Sequence, residues 1–298
     1  MLENYQKLLD EPEFQQALIS KQLCLFLGSG VAFNLGMPDW LGLAEIIVKF
    51  CFEKQIITRS EKLNLLKSTY PPIKIISICI DKIEKLEFIE DFEEKLKETF
   101  YTKPKKRLSK NKIYTALKEL YKNKKVLILQ TNYDVMLEKY LNEQESINRG
   151  YYIPYSQKGS IDYKNDKYLN NIIYLHGRLS GEEKELERPI YKSLVLDRKS
   201  YNKVYVLENE EYCQNQKKFL QYILKNFYII FLGYSLSDSE LLQIIANKPK
   251  TERYKRISVI VDNCKAKEIE NEFNSNYLSI ASNGKIKTYT YDTEHVGI

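Results

Sequence analysis

Short, almost uninterrupted apolar runs constrain the fold of this chain more than any other sequence feature. The clearest four are Leu23–Leu27, Val126–Leu129, Tyr228–Leu232 and Ile257–Val261, and Ile172–Leu175 is a weaker fifth. Their lengths and their β-branched and aromatic residues predict strands. Continuous apolarity, rather than alternation with polar residues, is typical of strands that are covered on both faces, as in a parallel sheet.

Helical patterns lie between these runs. The segments with a helical pattern are Leu41–Phe52, Asp91–Phe100, Asn111–Tyr121, Val135–Asn142 and Asp238–Ala246. Strands that alternate with helices form βαβ units, whose connections are short and right-handed. The sequence therefore predicts an α/β fold with a doubly wound, Rossmann-like parallel sheet and a helical insertion.

The 298 residues are enough for one main domain with a sizeable insertion. We expect a single domain over residues 1–298, because no Pro-rich or Gly/Ser-rich linker divides the chain. Residues 53–110 interrupt the alternation of strands and helices and read as a mostly helical insertion. Residues 143–170 and 178–215 are polar and Tyr-rich, and we expect irregular loops or a small subdomain there, over the ligand edge of the sheet.

Composition excludes several classes of protein. No apolar run approaches the roughly 18 residues that a membrane helix needs, and the first residues are too polar for a signal peptide. The five cysteines are scattered without a C-x-x-C pair, which argues against a disulfide framework or a zinc ribbon. The net charge of +6 is mild for this length. We expect a cytoplasmic protein without a metal site.

The first apolar run leads directly into Gly28, Ser29, Gly30 and Val31. Glycines after a strand let the backbone turn sharply and bring its N–H groups close to a phosphate. The dinucleotide fingerprint G-x-G-x-x-G is not complete, because Phe33 occupies the position of its third glycine. A phosphate-binding loop and a plain turn both remain open from these residues.

Polar residues also follow the second apolar run, as Thr131, Asn132, Tyr133 and Asp134. Open α/β sheets bind ligands at this kind of position, beyond the carboxyl end of a strand. Thr, Asn and Asp at the start of a helix serve equally well as helix caps. Capping by one of these residues does not exclude catalysis by another.

Histidine is rare in this chain. His176 follows the weak fifth run and precedes Gly177, and His295 lies three residues from the end. Histidine is the side chain that ordinarily titrates near neutral pH, so His176 is the candidate for a general base. A histidine at the edge of the core, bonded to the backbone, is the alternative. The run Tyr228–Leu232 ends similarly, in a turn that contains the small residues Gly233 and Ser235.

Together these segments resemble the NAD-binding motifs of the sirtuin family, in the same order along the chain. The matching segments are Gly28-Ser29-Gly30, Gly36-Met37-Pro38-Asp39, Thr131-Asn132-Tyr133-Asp134, His176-Gly177 and Gly233-Tyr234-Ser235. The chain looks most like the bacterial sirtuin-like NAD hydrolases of anti-phage defence. Cys213 is the only cysteine between His176 and Gly233, so the four-cysteine zinc ribbon of the deacetylases cannot be built there. Trp40 stands where deacetylases usually have Phe.

The resemblance implies a role for particular residues. Asn132 and His176 would be catalytic, Asn132 through its neutral amide and His176 as a proton acceptor. Residues implied to hold NAD are Gly28, Ser29, Gly30, Val31, Asp39, Thr131, Asp134, Gly233, Ser235 and Asp262. Asp39 would orient the nicotinamide carboxamide, and the glycine-rich turn would hold the pyrophosphate, helped by the positive end of the helix that follows.

The activity implied is hydrolysis of NAD to nicotinamide and ADP-ribose, by an effector of abortive infection. Such effectors are activated with a partner, so we expect self-assembly and a separate ATPase of the HerA type. A zinc-free protein deacylase or ADP-ribosyltransferase is the nearest alternative. A scaffold or nucleic-acid-binding subunit is another, for which the basic residues Lys103–Arg107, Lys110 and Lys112 would be the contact surface. A solvated loop is the more ordinary interpretation of the same basic residues.

Overall fold

A parallel β-sheet forms the centre of the computed structural model. The residues that the structure describes are 3–4, 6–33, 35–101, 111–122, 126–143, 151–156, 172–179, 190–234, 257–262 and 286–291. Within them, eight strands pair in parallel as one sheet. The strands are β1 (Glu3–Asn4), β2 (Leu23–Leu27), β3 (Val126–Gln130), β4 (Tyr151–Tyr152), β5 (Ile172–Tyr174), β6 (Tyr228–Leu232), β7 (Ile257–Asp262) and β8 (Ile286–Tyr291).

The order of the strands across the sheet is β1-β8-β7-β6-β2-β3-β5-β4. From β2 the chain passes outward through β3 to the edge strand β4, adds β5 between β3 and β4, then returns to the middle at β6 and continues outward through β7 to β8. This is the order of the doubly wound, Rossmann-like sheet, whose direction reverses between two central strands. The predicted fold class is therefore confirmed, and the point of reversal lies between β2 and β6.

Where a helix was predicted within the described residues, its observed ends differ from the predicted ends by only a few residues. They are α1 (Gln6–Leu9), α2 (Pro12–Ile19), α3 (Gly30–Phe33), α4 (Trp40–Glu53), α5 (Arg59–Lys67), α6 (Pro72–Lys85), α7 (Ile89–Tyr101), α8 (Lys112–Lys122), α9 (Met136–Glu143), α10 (Arg198–Tyr201) and α11 (Glu211–Asn226). Short 3₁₀ turns cover Pro154–Ser156 and Ile190–Ser193, and a π-helical turn covers Asn202–Val206. The predicted helix Asp238–Ala246 lies outside the described residues.

The two faces of the sheet bury separate cores. In β2, Leu23, Leu25 and Leu27 belong to one core, while Cys24 and Phe26 belong to the other. Helices α4, α6, α7, α8 and α9 contribute to the first core, and α11 with the π-helical turn contributes to the second. Because both faces are covered, the central strands need apolar residues at every position. This is the physical origin of the uninterrupted apolar runs in the sequence.

Residues 59–101, within the predicted insertion, are helical. Thr58 and Glu61 form a capping box at the start of α5, and α6 begins with Pro72, a residue favoured in the first helical turn. Helix α6 packs against α4, so these helices extend the first core rather than form a separate one. Residues 102–110, which include most of the basic stretch, lie outside the described residues.

The second predicted loop, over 178–215, is largely helical from residue 190 onward, which corrects the expectation of irregular structure. Asp197 and Ser200 form a capping box that starts α10, and the π-helical turn follows directly. Helix α11 already begins at Glu211, and its buried face includes the polar residue Gln216. A buried glutamine and a capping box between polar residues weaken the apolar periodicity, which is why the pattern indicated a loop.

Three strands were not predicted. Strands β1 and β4 have two residues each, too few for a sequence pattern. Strand β8 has the sequence IKTYTY, whose alternation of polar and aromatic residues differs from the continuous apolar runs. It pairs with β7 and β1 near the margin of the sheet, where a fully apolar strand is not required.

Candidate functional site

The loops that follow β2 and β6 interlock at the point where the strand order reverses. The N–H of Gly28 donates to the carbonyl of Leu232 at 2.9 Å, and the N–H of Gly30 donates to the carbonyl of Gly233 at 2.9 Å. A Cβ atom on Gly28 would lie 2.3 Å from the oxygen of Gly233, and Gly233 itself has φ +59°. These glycines are therefore required for the contact between the two loops, a role that the sequence did not suggest.

This interlocking changes how the first loop could hold a phosphate. The N–H groups of Gly28 and Gly30 are engaged with the β6 loop, and that of Val31 donates to Gly28 at 3.2 Å. The helix that follows, α3, has a single turn, so its positive end is weaker than that of a long helix. Binding of a pyrophosphate by these N–H groups would need some of these bonds to be exchanged. Ser29 is half-buried and lines the pocket described next.

A pocket opens at this edge of the sheet, beside the interlocked loops. It encloses about 610 Å³ when the solvent space at its open mouth is counted. Its walls come from the loops after β2, β3 and β6, the residue two positions after β5, and helices α4 and α7. The lining residues are Ser29, Ala32, Met37, Pro38, Asp39, Trp40, Leu43, Phe100, Thr131, Asn132, Tyr133, Asp134, His176 and Tyr234.

Asn132, one of the two predicted catalytic residues, lies in the loop after β3. Its side-chain Nδ2 donates to the carbonyl of Gly28 at 3.1 Å, across 104 residues of sequence. The preceding residue, Thr131, is tied to β2 through its N–H, which donates to Leu27 at 3.2 Å. An amide has two N–H donors and an acceptor oxygen, so the bond to Gly28 orients Asn132 without using up its hydrogen-bonding capacity.

Asp134 is the residue of this loop that caps a helix. Its Oδ1 accepts a hydrogen bond from the N–H of Met136, the first residue of α9, at 3.0 Å. The carboxyl is buried, and burial raises its pKa from 3.8 to about 6, although the bond from Met136 opposes that shift. The sequence left both helix capping and catalysis open for this loop. In the structure, Asp134 caps α9, while the amide of Asn132 points toward the loop after β2.

His176 is buried at the side of the same pocket. The residue is 1% exposed, and its ring packs edge-on against three aromatic rings, those of Trp40, Tyr201 and Tyr205, at 5.7–6.4 Å between centroids. Its carbonyl accepts from the N–H of Val195 at 2.8 Å. Asn132 and His176 therefore line one pocket, as predicted for residues that act on one substrate.

A buried ion pair joins the segment after His176 to helix α9, which follows the loop of Asn132. Arg178 donates to both carboxylate oxygens of Glu138, from Nε at 2.9 Å and from an Nη at 2.8 Å. Tyr174, at the end of β5, donates to the same carboxylate at 3.1 Å. The side chains of Arg178 and Glu138 are only 13% and 11% exposed. The sequence did not predict this pair, because neither residue stands in a recognisable motif.

Asp39 and an aromatic wall complete the pocket. Asp39 is exposed and caps α4, with Oδ1 accepting from the N–H of Gly42 at 2.7 Å. Its second oxygen is not needed for that cap. Trp40 and Phe100 pack against Tyr133, at 6.4 and 5.6 Å between ring centroids. Phe100 comes from α7, so the helical insertion supplies part of the wall, which the sequence did not predict.

The structure describes the remaining predicted residues only in part. Ser235 lies outside the described residues, and Asp262 is described only as the last residue of β7, paired with Tyr291. In the part of the chain that the structure describes, no group of three or more His, Cys, Asp or Glu residues is arranged to hold a metal ion. None of the helices within the described ranges is both long and apolar enough to cross a membrane.

The doubly wound sheet with a polar and aromatic pocket at its point of reversal defines a nucleotide-binding class of α/β protein. Comparison with known protein families matches residues 126–280 to the SIR2-like domain. The match covers just over half of the chain, and the chain belongs to this family. Membership indicates an enzyme that uses NAD. No curated protein matches the sequence.

The family match begins at the first residue of β3 and so includes Asn132, His176 and Gly233. It does not include the segment 23–40, in which the sequence analysis placed the first NAD-binding motifs. The structure brings that segment against the matched part, through the bonds from Gly28 to Leu232 and from Asn132 to Gly28. The pocket is therefore built from both parts of the chain.

Proposed function

We propose that this protein is an NAD glycohydrolase, which cleaves the bond between nicotinamide and ribose. The observation that carries the proposal is that the amide of Asn132 and the imidazole of His176 line one pocket at the ligand-binding edge of an NAD-using fold. A neutral amide and an imidazole suit this chemistry, because the substrate already carries the positive charge that makes nicotinamide a good leaving group.

The reaction needs little acid assistance. The C–N bond breaks, its electron pair neutralises the pyridinium ring, and nicotinamide leaves as a neutral molecule. A water oxygen then bonds to C1′ of the ribose, and its proton passes to His176 and on to solvent, which gives ADP-ribose. Asn132 would bind the ribose hydroxyls or the water, and the ribose would carry oxocarbenium character in the transition state.

Other parts of the pocket would position NAD. The aromatic wall of Trp40, Phe100 and Tyr133 is suited to a flat nicotinamide ring, and the second oxygen of Asp39 could accept an N–H of its carboxamide. Ser29 lies on the side of the interlocked loops, where the diphosphate would run. The same edge of the sheet carries β6 and β7, so Gly233, Ser235 and Asp262 remain the proposed contacts for the rest of the dinucleotide.

The experiment is chromatography of products after the purified protein is mixed with NAD alone. Release of nicotinamide and ADP-ribose without a protein acceptor supports hydrolysis, whereas a deacylase would need an acylated peptide. Asn132→Ala and His176→Ala should each lower the rate by about 100-fold or more, as expected for loss of a positioned amide or base. His295→Ala, at the other histidine, is the matched control.

The circular dichroism spectra of the variants should match that of the wild type. Wild-type turnover by the double variant Asn132→Ala/His176→Ala would falsify the assignment of the site. The biological role proposed, an NAD-depleting effector of anti-phage defence that assembles with itself and with a HerA-type ATPase, rests on the resemblance of its motifs. The same assay, repeated with that ATPase and combined with size-exclusion chromatography, tests it; a monomer in both conditions contradicts the assembly.

A further inference from the structure

The chain on both sides of His176 is bonded to one carboxylate, that of Glu138. Tyr174, two residues before His176, donates from its hydroxyl to Oε2 of Glu138 at 3.1 Å. Arg178, two residues after it, donates from Nε to the same oxygen at 2.9 Å and from Nη2 to Oε1 at 2.8 Å. Glu138 therefore accepts three hydrogen bonds from the two ends of the histidine segment, residues 174–178.

The helix that carries Glu138 is itself attached to the loop of Asn132. Asp134, two residues beyond Asn132, caps α9. The histidine segment and this loop also meet through their backbones, because the N–H of Leu179 donates to the carbonyl of Tyr133 at 2.8 Å. The carboxylate of Glu138 therefore fixes the histidine segment relative to the loop that presents Asn132.

The histidine segment needs such an attachment because it turns at a glycine. Gly177 lies between His176 and Arg178 and has φ +90°. A Cβ atom there would lie 2.6 Å from the carbonyl oxygen of Ser193, so a larger residue could not stiffen this turn. Glycine has more backbone freedom than any other residue, so bonds to other segments must set the direction of the imidazole. The N–H of Val195 holds the carbonyl of His176 at 2.8 Å, and the ion pair holds Arg178.

We infer that Glu138 is a positioning residue for the hydrolysis of NAD and acts through His176. This inference rests on the proposed glycohydrolase function and adds to it the residue that fixes the imidazole relative to the amide of Asn132. Glu138, Arg178 and Tyr174 are not among the residues that line the pocket, so their effect on the reaction passes through His176. The guanidinium neutralises the carboxylate, and the pair therefore acts through its two-point geometry rather than through a net charge.

A loosened histidine segment should slow the chemical step and leave NAD binding almost unchanged. His176 accepts its proton only as water bonds to the ribose, and a displacement of about 1 Å in a catalytic group can cost about 100-fold in rate. The proposed contacts of intact NAD at Ser29, Asp39 and Trp40 lie on other segments of the pocket wall. The KM for NAD should therefore stay within about threefold of the wild-type value while kcat falls.

The double variant Glu138→Leu/Arg178→Met separates positioning from stability. Replacement of a buried ion pair by apolar side chains is often neutral for stability, but apolar contacts do not fix a direction as a two-point hydrogen bond does. We expect this variant to recover, in urea denaturation, most of the stability lost in Arg178→Met. Its kcat for nicotinamide release should nevertheless be lower than that of the wild type by about tenfold or more.

Two further variants complete the test. Tyr174→Phe removes one of the three donors and keeps the ring, so kcat should fall by about threefold with little change in KM. Glu208→Leu/Lys217→Met is the matched control, at an ion pair of 2.8 Å whose residues are not among those that line the pocket. It should leave both kcat and KM unchanged.

The outcomes separate this inference from the proposed function. A wild-type kcat in the double variant would overturn the inference while leaving NAD hydrolysis intact, because the ion pair would then serve stability only. An unchanged kcat in Tyr174→Phe would also overturn it, as would a raised KM with an unchanged kcat. If the double variant does not fold, Tyr174→Phe decides. If the wild type releases no nicotinamide, with or without the ATPase, then the proposed function fails and this inference fails with it.

Discussion

Replacement of Asp134 by Asn should make this protein more stable at neutral pH. The carboxyl is buried, and its pKa is raised from 3.8 to about 6 mainly by burial. Asparagine has nearly the same shape, and its amide oxygen can still accept the N–H of Met136 at the start of α9. The substitution therefore removes the buried charge and keeps the cap.

The magnitude follows from the shift of the pKa. Below about pH 4 the carboxyl is protonated in both the folded and the unfolded chain, and it has no effect on stability. Between about pH 4 and 6 the unfolded chain loses the proton first, so stability falls as the pH rises. Above about pH 6 the loss is complete and amounts to about 3 kcal/mol, from a shift of about two pKa units at 1.36 kcal/mol each.

The assay is urea denaturation of the wild type and of Asp134→Asn at pH 4.5, 6 and 7.5. We expect the difference in unfolding free energy to grow with pH toward about 3 kcal/mol in favour of the variant. Burial, and to a smaller extent the nearby charge of Asp134, raises the pKa values of Tyr114 and Tyr174 well above 10, so both tyrosines stay protonated throughout. Asp39→Asn is the matched control, at an exposed aspartate that also caps a helix. A difference that does not change with pH would refute the reasoning.

Two further sets of substitutions, one at the ion pair and one at the glycines, test how the site is held together. Arg178→Met should lower the free energy of unfolding by about 3–5 kcal/mol, because Glu138 then stays buried without its partner. The double variant Glu138→Leu/Arg178→Met should recover most of that loss. A double variant as unstable as the single variant would contradict this prediction. Gly233→Ala combines φ +59° with a Cβ only 2.7 Å from the N of Val31, so we expect a loss of 2 kcal/mol or more by thermal unfolding. Gly36→Ala has φ +80° and no atom within 4 Å of its Cβ, so it should lose about 1–2 kcal/mol. Equal losses for the two glycines would show that the contact between the loops is not tight.

The central strands and the residues that end them could be predicted from the sequence. Strands β2 and β6 match the predicted runs, and β3, β5 and β7 differ by one residue at their ends. A strand covered on both faces must be apolar throughout, so a few neighbouring residues are enough to predict it. Because the strands are parallel, polar residues that end them share one edge of the sheet. This reasoning puts Asn132 and His176 at the same edge of the sheet, whereas their pairing as catalytic residues came from the resemblance to the sirtuin motifs.

Other parts of the site depend on contacts between distant segments. The approach of Gly28 to Gly233 follows from the pairing of β2 with β6. The ion pair of Arg178 with Glu138 follows from the position of α9 beside β5. No motif predicts which glycine meets which loop, because a local pattern records burial and backbone shape but not the identity of the neighbour.

The sequence by itself determined the α/β class, the central strands and the order of the polar loops, because these depend on local burial and backbone preference. Only the tertiary structure decided that Phe100 of the insertion would line the pocket and that Tyr201 and Tyr205 would cover His176. Those positions result from the packing of helices against an assembled sheet. Such packing is a property of the whole chain, since it joins residues more than a hundred positions apart, such as Ser77 and Arg198.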